Sequence, residues 1–333
     1  MRLLLLGGTE FVGRAVAEAA LAQGWDVTVF HRGRHAPGPG VRSLHGDRTA
    51  PDGLTALARG GPWDLVVDTW SGAPRAVRDT ARLLRGRADR YAYVSSCSVY
   101  TWPQPAGYTE EAPVVEGASA DADTTDYARD KRGGELAVLE SFGADRSLLV
   151  RAGLILGPYE NIGRLPWWLG RIARGGPVLA PGPRDLPLQY VDVRDLAQWI
   201  LGAAAEGRSG PYNAVSPPAH TTTGEFLEAC ARATGSDAEL RWTDPDVVLE
   251  AGIAPWTDLP VWVPPGSELH TTLHGADTSR AAGAGLRCRP IGETVSDTWD
   301  WLCGIGGVAP QRPDRPVVGL DPETEAKVLA GRP

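Results

Sequence analysis

A glycine-rich turn between a buried strand and a helix constrains the fold of this chain more than any other feature. The turn, GGTEFVG at residues 7–13, follows an apolar run at residues 3–6 and opens a stretch with helical apolar spacing up to residue 23. Glycine allows close backbone approach to a ligand because it has no Cβ, and the N–H groups at a helix N-terminus attract phosphate. In this context the segment predicts a dinucleotide pyrophosphate site. A purely structural turn is the alternative.

Short apolar runs alternate with helical patterns through the first half of the chain. We predict strands at residues 3–6, 26–30, 41–45, 63–68, 90–95 and 148–151, and helices at 11–23, 74–84 and 126–142. Strands that alternate with helices at this spacing indicate a parallel sheet covered on both faces. The predicted fold class is therefore α/β, a Rossmann-type doubly wound parallel sheet with a smaller mixed α/β C-terminal substrate lobe.

The pattern changes after residue 152, where proline and glycine become frequent. We assign residues 1–152 to a dinucleotide-binding domain, 153–309 mostly to a substrate-binding lobe and 310–333 to a surface tail. Core strands are expected to return to the first domain from about residues 186–215. Residues 242–273 are rich in proline and tryptophan without a clear period, which predicts an irregular lid.

Composition excludes several classes of function. The net charge of −8 argues against a broad nucleic-acid surface. No apolar run reaches 18 residues, and the apolar start is too short for a signal peptide, so we expect a cytoplasmic protein without a membrane span.

The four cysteines lack CxxC spacing and are expected to be reduced. His270 and His274 lack a third ligand, so no metal site is predicted. The expected partner is a small-molecule substrate, and a homodimer is left open.

Lys131 is one of two lysines among 33 basic residues, and it lies four residues after Tyr127. On a helix the two side chains share a face. A free phenol has a pKa near 10, and a nearby ammonium lowers it by favouring phenolate. The pair therefore predicts Tyr127 as a proton donor or acceptor. The alternative is an ordinary pair on a helix surface.

These motifs and others resemble those of the extended short-chain dehydrogenases/reductases, in the NAD-dependent epimerase/dehydratase group. The resemblance covers about residues 1–200. The matching segments are GGTEFVG at 7–13, HGDR at 45–48, SSCSVY at 95–100, Tyr127-xxx-Lys131, RAGLILGP at 151–158 and YVDVRD at 190–195. The resemblance implies a catalytic set of Ser96, Tyr127 and Lys131, in which Ser96 would hold the substrate oxygen. Ser95 and Ser98 are alternatives for that role.

The end of the second strand favours NADPH over NADH. NAD sites of this fold place an acidic residue there for the ribose 2′-OH, whereas this chain has Arg32 and Arg34, which could bind a 2′-phosphate. Two exposed, solvated arginines are the alternative. In the family, the residue matching Asp47 lies beside the adenine. The full predicted cofactor set is Gly7, Thr9, Glu10, Phe11, Val12, Gly13, Arg32, Asp47, Arg48, Thr69, Trp70, Tyr127 and Lys131.

Two residues depart from the family pattern. Glu10 replaces the usual glycine, and Ala152 replaces the usual proline. A carboxylate at residue 10 is unfavourable beside a pyrophosphate unless its side chain turns outward. The phosphate contacts and membership of the usual sugar-nucleotide subgroup are therefore open.

The leading functional hypothesis is an NADPH-dependent reductase that acts on a carbonyl or similar group of a small molecule. One alternative is an NAD-dependent sugar-nucleotide epimerase or dehydratase; the dehydratase is disfavoured because no acid adjoins Ser96. Another is a non-catalytic module that binds a dinucleotide or RNA. Candidate substrate residues are Trp102, Trp167, Trp168 and Tyr190, for each of which ordinary packing is the competing interpretation.

Overall fold

The computed structural model describes residues 1–122, 126–313 and 315–331. The first half contains β1 (Arg2–Leu6), α1 (Phe11–Ala22), β2 (Asp26–His31), β3 (Arg42–His45), α2 (Thr55–Arg59), β4 (Trp63–Asp68), α3 (Arg75–Leu84), β5 (Ala88–Ser96), α4 (Tyr127–Phe142) and β6 (Ser147–Ala152). The second half contains β7 (Ile155–Leu156), α5 (Arg164–Ala173), β8 (Pro177–Pro181), β9 (Pro187–Leu188), β10 (Val191–Asp192), α6 (Val193–Ala205), β11 (Gly210–Ala214), β12 (Thr221–Thr222) and α7 (Thr223–Thr234). The last elements are β13 (Glu239–Thr243), α8 (Pro245–Glu250), α9 (Glu268–His274), α10 (Ser279–Gly283), α11 (Ile291–Gly304) and α12 (Pro322–Leu329).

The central sheet has seven parallel strands in the order β11-β6-β5-β4-β1-β2-β3. The chain runs outward from β1 in one direction to β3 and in the other to β11, so the connections reverse between β1 and β4. Ligands of such sheets bind in the crevice at the carboxyl ends of the strands at this switch point. The predicted Rossmann-type α/β fold is confirmed.

Both faces of the sheet are covered, which explains why β1 is apolar throughout. Leu3 and Leu5 pack under α1 and α6, while Leu4 and Leu6 pack under α3 and α4. Successive strand residues point to opposite faces, so a strand buried on both sides needs apolar residues at every position. β11 lies beside β6 and therefore adds a late segment to this core.

A separate apolar core lies in the C-terminal lobe, where α5, α7 and α11 pack together and β8 pairs with β13. Residues 242–273 are more regular than expected, because they include the end of β13, α8 and most of α9. The tail also differs from the expected surface segment. Leu320 and Glu325 are buried, and Glu325 forms an ion pair of 2.6 Å with Arg171 of α5.

No helix in the described ranges is both long and apolar enough to span a membrane. Within the same ranges, no group of three or more histidine, cysteine, aspartate or glutamate side chains is arranged to hold a metal ion.

Candidate active site

The glycine-rich turn is a tight cradle between β1 and α1. A Cβ at Gly13 would lie 2.0 Å from the Gly7 carbonyl oxygen, and Gly7 has a φ of +92°, which favours glycine. Thr69, just after β4, supports the turn: its hydroxyl donates to the Leu6 carbonyl at 3.1 Å. A side chain at residue 7 would meet the Thr69 hydroxyl, and one at residue 13 would meet the Gly7 carbonyl, so both would disrupt the turn.

The Glu10 side chain does not cap the helix that follows this cradle. Glu10 occupies the N-cap of α1 with an extended backbone, and no side chain in the described part of the chain caps that helix. Its carboxylate instead lies 3.0 Å from His35 and accepts a 3.4 Å hydrogen bond from Asn161. The first N–H groups of α1 are left without a side-chain partner, so the residues present fit a dinucleotide pyrophosphate.

The end of β2 presents positive charge. His31 is buried, and burial lowers its pKa, whereas Arg32 and Arg34 are exposed. Asp47 follows β3, and hydrogen bonds from the Thr49 hydroxyl and N–H lower its pKa. The described residues at this strand end thus include two arginines and lack the acid that a ribose 2′-OH would need.

Arg48, a predicted cofactor residue, is engaged with neighbouring protein groups. Its guanidinium is buried and donates to both carboxylate oxygens of Asp68 at 2.7 Å, and to Thr80 and the Ala76 carbonyl. The Tyr91 hydroxyl also donates to Asp68. Asp68 ends the buried strand β4, so its charge needs a counter-ion. Arg48 supplies that counter-ion, which commits most of its donors beneath the site.

Lys131 is held by the ends of two strands. Its ammonium donates to the carbonyl oxygens of Trp70 at 2.5 Å and Val94 at 2.7 Å, and only 3% of the residue is exposed. Burial lowers the pKa of Lys131 to about 7. The ammonium lies 5.9 Å from the ring centroid of Tyr127, which is 36% exposed. The Lys131 ammonium, whose pKa is lowered, thus lies beneath the Tyr127 phenol, which solvent can reach.

The serines at the end of β5 and just after it divide into two groups. Ser95 is buried and its hydroxyl donates to Glu135 at 2.8 Å, which turns it away from the strand end. Ser96 begins a 3₁₀ turn, where its oxygen accepts from the Ser98 N–H at 3.1 Å. The helix that carries Tyr127 packs against this turn. Ser96 and Ser98 therefore remain the candidates for holding a substrate oxygen.

Two of the aromatic candidates are structural. Trp168 and Tyr190 are each about 1% exposed, and their polar atoms donate to the main-chain oxygens of Pro260 and Arg289 at 2.6 and 2.7 Å. Their placement as substrate residues is corrected, because both lie inside the lobe core. Trp102 is 44% exposed, and Trp167 is half-buried against Trp168.

Sequence reasoning missed two arginines at the mouth of the cleft. The guanidinium carbon of Arg315 lies 4.9 Å from the Tyr127 ring centroid. Arg164, the first residue of α5, lies 4.9 Å from the Trp256 ring. Arg315 belongs to the tail, where no periodic pattern indicates a fold, so no sequence signal linked it to Tyr127.

The sheet, the turn at its switch point and the Tyr127–Lys131 helix define an extended short-chain dehydrogenase/reductase, an enzyme of the NAD(P)-dependent oxidoreductase type. The sequence model of the NAD dependent epimerase/dehydratase family matches residues 3–215. This chain belongs to that family.

Curated relatives support the assignment. The chain is 30% identical to bovine (Bos taurus) epimerase family protein SDR39U1 over 274 residues, which cover 72% of this chain and 82% of that protein. It is 31% identical to 2′-dehydrokanamycin reductase of Streptomyces kanamyceticus over 188 residues, or 54% and 51% of the two chains. It is 25% identical to the chloroplast stem-loop binding protein of 41 kDa b of Arabidopsis thaliana over 250 residues, or 70% and 63%. The matches thus span about half and just under two thirds of the latter two proteins.

Solved structures support the fold. The Bordetella bronchiseptica enzyme WbmH, solved with NAD+, superimposes with a TM-score of 0.66 at 17% identity and covers 92% of this chain and 99% of its own. Human epimerase family protein SDR39U1, solved with NADPH, gives a TM-score of 0.58 at 21% identity, with coverage of 90% and 99%.

Proposed function

We propose that this enzyme is an NADPH-dependent reductase that transfers hydride to a carbonyl, or a similar group, of a small-molecule substrate, with Tyr127 as the proton donor. The observation that carries the proposal is the buried Lys131 ammonium beneath Tyr127, fixed by two main-chain carbonyls. Such a cation favours the phenolate that remains after proton donation. The reductase name of the Streptomyces relative is consistent with this reaction.

The proposed cofactor residues follow the ends of the strands. The cradle at Gly7 and Gly13 and the N–H groups of α1 would receive the pyrophosphate. Arg32 would pair with the 2′-phosphate, and Lys131 would also contact the nicotinamide ribose. Human SDR39U1, which contains NADPH in its structure, shares the fold, and exposed arginines after β2 favour the same choice here.

The protein's part in the reaction is proton transfer and positioning. When bound, NADPH supplies the hydride that adds to the carbonyl carbon. The carbonyl π electrons move to the oxygen, which takes the proton from the Tyr127 hydroxyl and becomes an alcohol. The Lys131 ammonium stabilises the resulting phenolate, and the Ser96 hydroxyl donates to the same oxygen as charge develops there.

Turnover of NADPH by the purified protein against a panel of ketones, aldehydes and oxo acids tests the proposal. Tyr127→Phe should lower kcat by about 10²–10⁴-fold while leaving NADPH affinity nearly unchanged. Tyr159→Phe is the matched control, because Tyr159 keeps its ring contacts with Arg14 and Trp301. Full activity in Tyr127→Phe would contradict the mechanism.

The same preparation separates the alternatives. Tightly bound NAD+ with no net consumption of NADPH would indicate an epimerase. Tight RNA binding with no turnover would indicate a binding module; the chloroplast relative is named a stem-loop binding protein. Arg32→Ala should weaken NADPH by roughly 10–100-fold, the effect of one charge-assisted contact, and leave NADH unchanged. Arg85→Ala, an exposed arginine after α3, is the control.

A further inference from the structure

The C-terminal tail crosses the mouth of the cleft beside Tyr127. The Arg312 N–H donates to the Asn161 carbonyl at 3.0 Å, and the Gly319 N–H donates to the Thr257 carbonyl at 2.8 Å. Between these anchors, Arg315 lies over the Tyr127 ring. The tail therefore brings a positive charge within about one ring width of the proposed proton donor.

Arg164 carries a second guanidinium near this part of the cleft, over the Trp256 ring. Burial lowers its pKa, Glu160 and Tyr127 oppose that shift, and repulsion from Arg315 adds to it. Two like charges that share a partly buried site repel each other unless a negative group joins them. The arrangement is costly for the protein alone.

Both arginines also have an unsatisfied donor. The Nε atoms of Arg164 and Arg315 are buried and have no hydrogen-bond partner among the residues that the structure describes. Buried polar groups in folded proteins nearly always have a partner, so each exception needs an explanation. A ligand with several acceptor oxygens could accept hydrogen bonds from both Nε donors.

Glu160 does not fill this role. Its two carboxylate oxygens accept the N–H groups of Arg164 at 2.7 Å and Leu165 at 3.2 Å, so the acid is engaged with the start of α5. Burial raises the pKa of Glu160 to about 7. Its attraction raises the pKa of Arg164, but none of its hydrogen bonds within the described residues reaches the Nε of either arginine.

We propose that Arg164 and Arg315 bind a carboxylate of the substrate, which makes the substrate a small oxo acid whose carbonyl lies at Tyr127. The proposal rests on the proposed reductase function. A carboxylate accepts the forked N–H groups of a guanidinium. The position of Arg315 over the Tyr127 ring leaves only a few bonds between the charged group and the carbonyl. This separation suits an oxo acid better than a nucleotide sugar, whose phosphates lie across a sugar ring.

A binding experiment tests the arginine pair without turnover. Oxamate, a mimic of a 2-oxo acid that is not reduced, and inorganic phosphate are titrated calorimetrically into the protein. Arg315→Ala and Arg164→Ala should each weaken oxamate binding at least tenfold. The control Arg232→Ala, an exposed arginine on α7, should bind as the unaltered protein does. Equal binding by all variants, or tighter binding of phosphate than of oxamate, would overturn the carboxylate site.

A turnover experiment tests whether the site selects substrate. The panel is a set of 2-oxo and 3-oxo acids, each paired with its methyl ester. Arg315→Ala should lower kcat/KM about 10–100-fold for an acid and less than threefold for its ester; equal losses for both would overturn the proposal. Binding that follows the arginines, with no oxo acid or ester reduced, would instead contradict the reductase function.

Discussion

The two walls of the cleft are built from different groups. On the sheet side, main-chain atoms hold the site: carbonyls of Trp70 and Val94 fix Lys131, and the Leu6 carbonyl fixes Thr69. On the lobe side, the groups are long side chains: Arg315 of the tail lies over the Tyr127 ring, and Arg164 at the start of a helix lies over the Trp256 ring. Most substitutions leave the positions of main-chain atoms unchanged. A surface made of side chains changes with every substitution in it.

This difference assigns a task to each wall. Hydride and proton transfer need groups fixed to within a fraction of an ångström, which strand ends provide. Substrate choice can be altered on loops without loss of the scaffold. We therefore expect substitutions on the sheet side to abolish the reaction, and substitutions on the lobe side to change which molecule is accepted.

Lys131→Met should give the largest effect. The substitution keeps an unbranched side chain but removes the ammonium from both carbonyls, so kcat should fall at least about 10³-fold. The chain provides a matched control, because its only other lysine, Lys327, is exposed on α12. Lys327→Met should retain full turnover. Comparable losses in both variants would show that the defect is not specific to the sheet side.

Replacing one glycine on each side of the cleft with alanine compares the two sides directly. In Gly13→Ala the new Cβ would lie 2.0 Å from the Gly7 carbonyl oxygen and must open the cradle. We expect dinucleotide affinity, measured by fluorescence titration, to fall by about 10²-fold. In Gly170→Ala, inside α5, the new Cβ meets no atom within 4 Å, and the protein should gain about 0.5–1 kcal/mol in free energy of unfolding. Unchanged affinity in Gly13→Ala would remove the steric argument for the cradle.

The sheet side could be predicted because its signals are local in sequence. Apolar residues at every position of β1 indicate a strand buried on both faces, and the spacing of Tyr127 and Lys131 places them on one helix face. The turn at residues 7–13 joins two adjacent elements. None of these inferences needs a contact between distant parts of the chain.

The lobe side could not be predicted because its contacts join distant segments. Arg315 meets Tyr127 across 188 residues of chain, and Trp168 donates to Pro260. A tryptophan has the same local pattern whether it lines a pocket or fills a core. The ion pair of Arg48 could not be predicted for a related reason: its partner Asp68, 20 residues away, is apparent only once β4 is placed in the sheet.

Lys131 and Glu160 provide a smaller test, because they titrate near pH 7 from opposite walls. Burial lowers the pKa of Lys131 from 10.5 to about 7 and raises the pKa of Glu160 from 4.5 to about 7. Between pH 4.5 and 7 the folded protein keeps a proton on Glu160 that the unfolded chain has lost, so stability falls as pH rises. Between pH 7 and 10.5 the unfolded chain keeps the lysine proton, so stability rises. Each slope is at most about 1.4 kcal/mol per pH unit.

Urea unfolding between pH 7 and pH 9 would measure the rise from Lys131. Below pH 6.5 the buried His274, whose pKa burial lowers from 6.5 to about 3, contributes a rise that opposes the fall from Glu160. Lys131→Met should remove the rise above pH 7, because methionine binds no proton in either state. Lys327→Met should keep that rise, since its side chain is exposed. If the rise persists in Lys131→Met, another group produces it.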